Sequence, residues 1–404
     1  MSQSPVHDQV TAAVKRLGGD LVALRRDLHA HPELSGKETR TTSVVAEAMS
    51  RAGLRVRPLA GTGLVADIGP VDAAYRVALR ADLDALPLME VTGLPWASRT
   101  EGVCHACGHD VHVAAVVGAG LVLKGLERQL EARGLAVRLL FQPAEEVMPG
   151  GAHDVVAQGG LEGVNRILGL HCDPTIDLGQ VGLLEGPITA AADSVTVTLS
   201  GRGGHTSRPH LTQDLTYALG KVLTDVPAVL SRRVDPRAGV ALVWGAVHAG
   251  VAQNVIPSTG MVSGTLRMLD AAVWEEVGPL IEETVRNVVS PYGVSAHLEH
   301  VRGVPPLVND GPSVAALESA ALALIGPDAV TGTRQSLGGE DFAWYLQTVP
   351  GAMARLGTRT PGGPTYDLHQ GDLVVDEGAI PVGAALLAGA ALASPLVRGA
   401  RSAI

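Results

Sequence analysis

The run Cys104-His105-Ala106-Cys107-Gly108-His109-Asp110-Val111-His112 is the densest set of metal-capable side chains in the sequence. Cys104-x-x-Cys107 has the spacing of half a structural zinc site, but no second C-x-x-C exists to complete it. Covalent haem attachment needs a histidine directly after the second cysteine, where Gly108 stands. A catalytic metal site would use thiolate and imidazole ligands two residues apart in an irregular turn. Gly108 would then supply the backbone freedom that such close ligation needs. The competing reading is buried cysteines beside a capped helix, with no ion.

The adjacent Glu145 and Glu146 form a second candidate. Alone, such a pair is usually solvated surface, but this one follows the buried-strand pattern VRLLFQPA. From an extended turn the two side chains cannot point the same way, so one could ligate a metal while the other faces a water. Two close carboxylates normally push one pKa upward, and a divalent cation between them reverses that balance. Asp82 and Asp84 follow the apolar run VALRA, and His171 follows RILGL. Polar residues that simply begin loops would explain one such case better than three. His112, three residues after His109, shares its helical face and is read as support or packing more than as a ligand. His29 and His31 close the first helical stripe and are expected to pack and cap. His153, His210, His248, His297 and His300 show no partner pattern.

The elements that must position these groups alternate in type. Val14, Leu17, Leu21, Leu24 and Leu28 fall on one helical stripe, and VALRA, VRLLF and RILGL are short strand-like runs separated by helical stretches such as His112–Leu126. Alternating strands and helices predict a mixed, mostly parallel sheet covered by helices, which places ligands at the carboxyl ends of its strands. Between about Ala191 and Arg302 the order becomes β-α-β-β-α-β, that of a ferredoxin-like α+β unit. The expected organisation is a metal-binding α/β catalytic domain in two parts (1–190 and 303–404), interrupted by an inserted lid or dimerisation domain (191–302).

Composition narrows the function classes. With 46% hydrophobic and 18% charged residues the chain is too apolar for disorder. A net charge of −10 argues against a broad nucleic-acid surface or docking on anionic lipid, and 3% aromatic residues leave little for base stacking. Three cysteines cannot make a disulfide framework. The start MSQSPVHDQV lacks a basic n-region and an apolar h-region, so a cytoplasmic location is expected. The apolar stretch Ala379 to Val397 is rich in Ala and Gly and carries prolines, which suits a buried helix better than a membrane span.

Together these segments resemble the metal-dependent aminoacylase and carboxypeptidase family. The match is to its amidohydrolase branch of N-acyl-L-amino-acid amidohydrolases, hippurate hydrolases and auxin-conjugate hydrolases. The resemblance rests on RRDLHAHPELSGKE (25–38), ALRADLDALP (78–87), HACGHDVHVA (105–114), FQPAEE (141–146), GRGGHTSRPH (201–210), AQNVIP (252–257), GTLR (264–267), GGEDFAWYL (338–346) and LHQGDLVVDE (368–377). It implies two divalent metal ions per subunit, held by Cys107, His109, Glu146, His171 and His369. Glu145 falls at the family's general base, which activates a metal-bound water. By the same resemblance His205 would reach a partner subunit's active site and stabilise the oxyanion. Asn254 and Arg267 would lie near the substrate carboxylate, and Asp82 and Asp84 would support the metal site from behind its ligands.

The implied activity is hydrolysis of the amide bond of N-acyl amino acids by a homodimer joined through the inserted domain. A dipeptidase or aminopeptidase of the same family is the nearest alternative, and a non-catalytic metal- or ligand-binding relative is the alternative of another class. Zinc or manganese is expected first, with cobalt or nickel compatible. The sequence departs from the branch at Val147-Met148, where glycine is common, and at Leu373, where an aromatic is usual. Both changes are expected to bear on the substrate pocket, since the ligands are intact.

Overall fold

Tyr75–Asp82 and Leu135–Gln142 are rich in apolar residues and almost wholly buried, with Arg80, Asp82 and Gln142 among the buried polar groups. They pair in parallel, Asp82 opposite Gln142, and Tyr75–Asp82 also pairs in parallel with Arg166–Asp177. Among the described residues the full sheet has eight strands. In spatial order these are Arg55–Pro58, Leu64–Ile68, Leu135–Gln142, Tyr75–Asp82, Arg166–Asp177, Gly351–Arg359, Val181–Leu183 and Val330–Gly332. Parallel pairings dominate its centre, and antiparallel ones join the first three strands and Gly351–Arg359 to Val181–Leu183. Helices Pro5–Ala30, His109–Gly125, Gly311–Leu324 and Ala379–Leu392 pack against one another beside the sheet. The predicted α/β class, a mixed and mostly parallel sheet covered by helices, is the observed one.

This computed structural model describes residues 5–393. The chain divides into one compact unit of Met1–Gly186, Val308–Arg334 and Trp344–Ile404, and a second of Pro187–Leu307 and Gln335–Ala343. In the second unit Ala191–Ser200 alternates buried and solvent-facing residues, the pattern of a sheet covered on one face. Its antiparallel sheet runs Ala241–Ala249, Thr259–Met268, Ala191–Ser200, Ser295–Val304, or 2-3-1-4 in chain order. The two crossing helices are Leu215–Arg233 and Ala271–Val289. Asp214 caps the first by accepting from the Tyr217 N–H, and Asp270 caps the second by accepting from the N–H groups of Ala272 and Val273. This is the ferredoxin-like order read from the sequence.

The apolar C-terminal stretch forms the largely buried helix Ala379–Leu392, while residues 394–397 lie outside the described residues. Among the described residues no helix is long and apolar enough to cross a membrane. One strand differs from expectation. The run RILGL does not end before His171; the strand continues to Asp177, because Gly351–Arg359 pairs with it as far as Arg359 opposite Asp177.

Candidate metal centre

The register explains why distant residues meet. Arg80 lies opposite Gly169, so Asp82 and His171 reach the same level of the sheet, beside the end of Leu135–Gln142. The helix His109–Gly125 begins next to them, and Gly108 caps it in the left-handed region at φ 83°. A Cβ on Gly108 would come within 2.8 Å of Cys172 Sγ, so glycine is needed there for both turn and packing. His369 reaches the site because its N–H donates to the Ala106 carbonyl at 2.8 Å.

Two ligand triads result. The potential ligand atoms of Cys107, His109 and His171 all lie within 4.8 Å of one another, and so do those of Cys107, Glu146 and His369. Cys107 is common to both. His109, Glu145 and Glu146 form a further set at the same spacing, which puts the two glutamates beside one ligand. Individual separations are short. Cys107 Sγ lies 3.5 Å from His171 Nε2, His369 Nε2 is 3.4 Å from Glu146 Oε1, and His109 Nε2 is 3.7 Å from that same oxygen.

Hydrogen bonds set which nitrogen each ring presents. A backbone carbonyl can only accept, so His109 Nδ1–H donates to the Asp84 carbonyl at 2.9 Å and His171 Nδ1–H to that of Cys172 at 2.8 Å. In both rings Nδ1 is thus committed to a carbonyl, and Nε2 is the nitrogen left facing the cluster to take a metal. Among the described residues, His109 Nε2 and Glu146 Oε1 are buried without a well-formed hydrogen bond; they approach each other and His369 only at ion-pair distance, an arrangement that a cation between them would satisfy. Burial opposes charge on His109, yet Asp82, Cys107 and Asp84 raise its pKa well above the imidazole range. The negative field of Asp82 suits a divalent ion. The thiol of Cys107 is pushed up by burial, and a bound cation would reverse this by favouring thiolate. The residues present thus fit two divalent metals.

His112 is excluded from ligation by the same reasoning. The Cys172 N–H donates to its Nε2 at 2.9 Å, so Nδ1 carries the proton and donates to Asp82 Oδ1 at 2.6 Å. Both nitrogens are engaged. Asp82 also accepts from Arg80 at 2.6 Å, and burial, which would raise its pKa, is overcome by Arg80, His109 and His112.

The turn carrying the two glutamates is held by its amides. The N–H groups of Glu145 and Glu146 donate to Asp84 Oδ1 and Oδ2 at 3.0 and 2.9 Å, and that of Ala144 donates to Glu38 Oε1 at 2.8 Å. Glu38 is fully buried and also accepts from Thr62 Oγ. Two carboxylates thus orient three successive amides. Among the described residues, the non-glycine residues with positive φ are Ala144 (56°) and His369 (60°). Such backbone costs on the order of 1–3 kcal/mol each and clusters at functional sites. Here both flank the cluster.

Behind the cluster lies a set of contacts that no motif in the sequence announces. Asp110, next to His109, accepts from Arg25 Nε at 2.6 Å and from His29 Nδ1 at 2.7 Å, and His29 Nε2 lies 3.3 Å from Glu90 Oε1. His29 therefore does not cap its helix: its ring nitrogens go to Asp110 and Glu90, and it is His31 Nδ1 that lies 2.8 Å from the Asp27 carbonyl. The Val91 N–H donates to the Gly371 carbonyl at 2.8 Å, tying the Glu90 loop to the His369 segment. The available signal was the i, i+4 spacing of Arg25 and His29 on one helical face.

Burial opposes charge on His29, but Asp110 and Glu90 raise its pKa to about 9 from 6.5. A raised histidine pKa gives stability that is complete below 6.5 and is lost as pH climbs through 9. His29→Gln is expected to lower the urea midpoint at pH 6.5 by an amount equivalent to about 2–3 kcal/mol, with the gap to wild type closing by pH 9.5. A gap that is independent of pH would show that His29 is not charged in the folded protein.

In the second unit, His205 and Asn254 adjoin on a small ribbon: Val255 pairs with His205, and the Thr206 N–H donates to the Asn254 carbonyl at 3.2 Å. Arg267 lies on Thr259–Met268 and donates to the Leu337 carbonyl. Val147 and Met148 are exposed, whereas Leu373 is buried in the core.

Residues 78–393 match Peptidase family M20/M25/M40. The chain is 38% identical over 365 residues to N-acetyl-L-cysteine deacetylase of Bacillus subtilis (strain 168), covering 89% of this chain and 84% of that protein. It is 48% identical over 363 residues, 89% of its length, to a Rhodococcus jostii (strain RHA1) protein named as a glutamate–cysteine ligase, of which it spans only 45%. A crystal structure of a dinuclear metal binding peptidase of the M20 family from Bacillus subtilis superposes with a TM-score of 0.81 at 31% identity, over 94% of this chain and 98% of that one. Two ligand triads joined at one thiol, on a sheet of this topology, agree with that likeness, and the chain belongs to peptidase family M20/M25/M40, whose fold and metal cluster serve metal-dependent amide hydrolysis.

Proposed function

We propose that this chain hydrolyses the amide bond of N-acyl amino acids. The reading rests above all on Glu145, poised beside His109 and Glu146 on a turn that Asp84 and Glu38 hold in place. A protein that merely bound metal would have no use for a proton acceptor at that point. Cys107, His109 and His171 would hold one ion and Cys107, Glu146 and His369 the other. When bound, the ions polarise the amide carbonyl and acidify the attacking water. Glu145 takes the proton from that water and returns it to the leaving nitrogen. Arg267 binds the amino-acid carboxylate, a task suited to a guanidinium fork, and Asn254 assists.

The cysteine thiolate and imidazoles favour zinc, and the carboxylate also admits manganese, cobalt or nickel. In the proposed homodimer, His205 of one protomer donates to the oxyanion formed in the other. Ala241–Ala249 supports pairing through this unit: it is an edge strand with Val243 63% and Val247 47% exposed. The three unpaired, buried cysteines are consistent with a reducing, cytoplasmic setting. The substrate name of the Bacillus deacetylase supports a small acyl group.

The test is a hydrolysis panel on metal-reconstituted protein: N-acetyl amino acids, long-chain acyl amino acids, hippurate, auxin conjugates and dipeptides. Turnover of N-acyl amino acids is expected. Preference for dipeptides would make the chain a peptidase, and two bound ions with no turnover of any compound would leave a binding protein.

A further inference from the structure

The loop carrying His205 is closely specified. Gly203 packs where a Cβ would stand 2.4 Å from the Ile256 carbonyl oxygen, so only glycine lets the chain pass. Beyond it, Gly204–His205 pairs with Val255–Ile256, and the Arg208 N–H donates back to the His205 carbonyl at 2.9 Å. This folds residues 205–208 into a tight turn. It places Ser207 over the imidazole of His205: the Ser207 N–H lies 3.1 Å from Nδ1, and Ser207 Oγ lies 2.9 Å from the same nitrogen.

A backbone N–H can only donate, so Nδ1 accepts. The hydroxyl faces that same lone pair and donates too. In the neutral ring the proton must then reside on Nε2, the ring nitrogen that Ser207 does not contact. We propose that Ser207 is a positioning residue that fixes His205 as the Nε2–H tautomer, presenting a single outward donor. The inference rests on the reading of His205 as the oxyanion donor and deepens it. An oxyanion needs a donor at a set point, and a ring that spent time as the Nδ1–H tautomer would offer a lone pair there instead. The backbone contact follows from the turn itself. The hydroxyl is this sequence's own contribution, because alanine at 207 would keep the N–H and lose the second donor.

Histidine-selective 15N labelling of the full-length, metal-loaded protein reads the tautomer directly, with His205→Gln identifying the signal. Nδ1 of His205 is expected to be pyridine-like and Nε2 pyrrole-like. Ser207→Ala should move both toward a tautomer average and lower kcat about 3- to 10-fold with KM little changed, the size of one neutral hydrogen bond. Ser207→Thr, which keeps the hydroxyl, should restore both. A protonated Nδ1 in wild type overturns the proposal, as does Ser207→Ala with unchanged spectrum or unchanged kcat. If His205→Gln itself retains full kcat, the catalytic reading of His205 falls. A large loss in that variant with none in Ser207→Ala removes only the role of Ser207.

Discussion

Glu145→Gln is expected to keep two divalent ions per chain and to lose hydrolysis by about 10²–10⁴-fold in kcat, the contribution typical of general acid–base catalysis. The substitution is nearly isosteric and leaves both triads, which use Cys107, His109, His171, Glu146 and His369, untouched. The turn is also unaffected, because it is held by amides. The Glu145 N–H donates to Asp84 whichever side chain follows. Only the proton acceptor goes. Metal analysis of the purified variant beside a kcat measurement separates the possibilities. Two ions with full activity would mean that another group takes the proton. Loss of an ion would mean that Glu145 ligates, and the division of labour between the paired glutamates would have to be reversed.

The place of the cluster was legible in outline from local pattern. The segment HACGHD places its candidate ligands two residues apart, and a glutamate pair after a buried strand has few bland explanations. The layering of the fold was legible too, because buried parallel strands and amphipathic helices differ in period. What escaped reading depends on contacts between residues remote in sequence. Glu38 orients the glutamate turn across 106 positions, and Arg25 meets Asp110 across 85. Neither pair leaves a periodic trace, since each depends on which strands and helices become neighbours. The apolar run RILGL stops just before His171, which suggests a strand end there. The strand goes on since its partner Gly351–Arg359, far along the chain, continues to supply hydrogen bonds. The exclusion of His112 is the same lesson at atomic scale, as its spacing from His109 suits ligation and only the Cys172 N–H shows that its lone pair is taken.

The other large effect concerns Cys107. Because both triads include it, Cys107→Ala should weaken both ions together, whereas His369→Ala should weaken one. Residues that only stand behind ligands change metal affinity by about 10- to 100-fold, so losing a shared ligand should exceed about 100-fold at each site. Activity should fall to background. A second measurement distinguishes this from misfolding. Without metal, burial keeps the Cys107 thiol neutral, so it behaves in the apo-protein as a small apolar side chain. The apo-variant should therefore melt close to apo-wild type. The difference should emerge only on adding zinc, which stabilises wild type in proportion to RT ln(1 + [L]/Kd) and the variant hardly at all. Equal stabilisation of the two proteins, or two ions retained by Cys107→Ala after dialysis, would show that the thiol is not the shared ligand. The carboxylate of Glu146, within reach of both His109 and His369, would then be the atom that joins the pair.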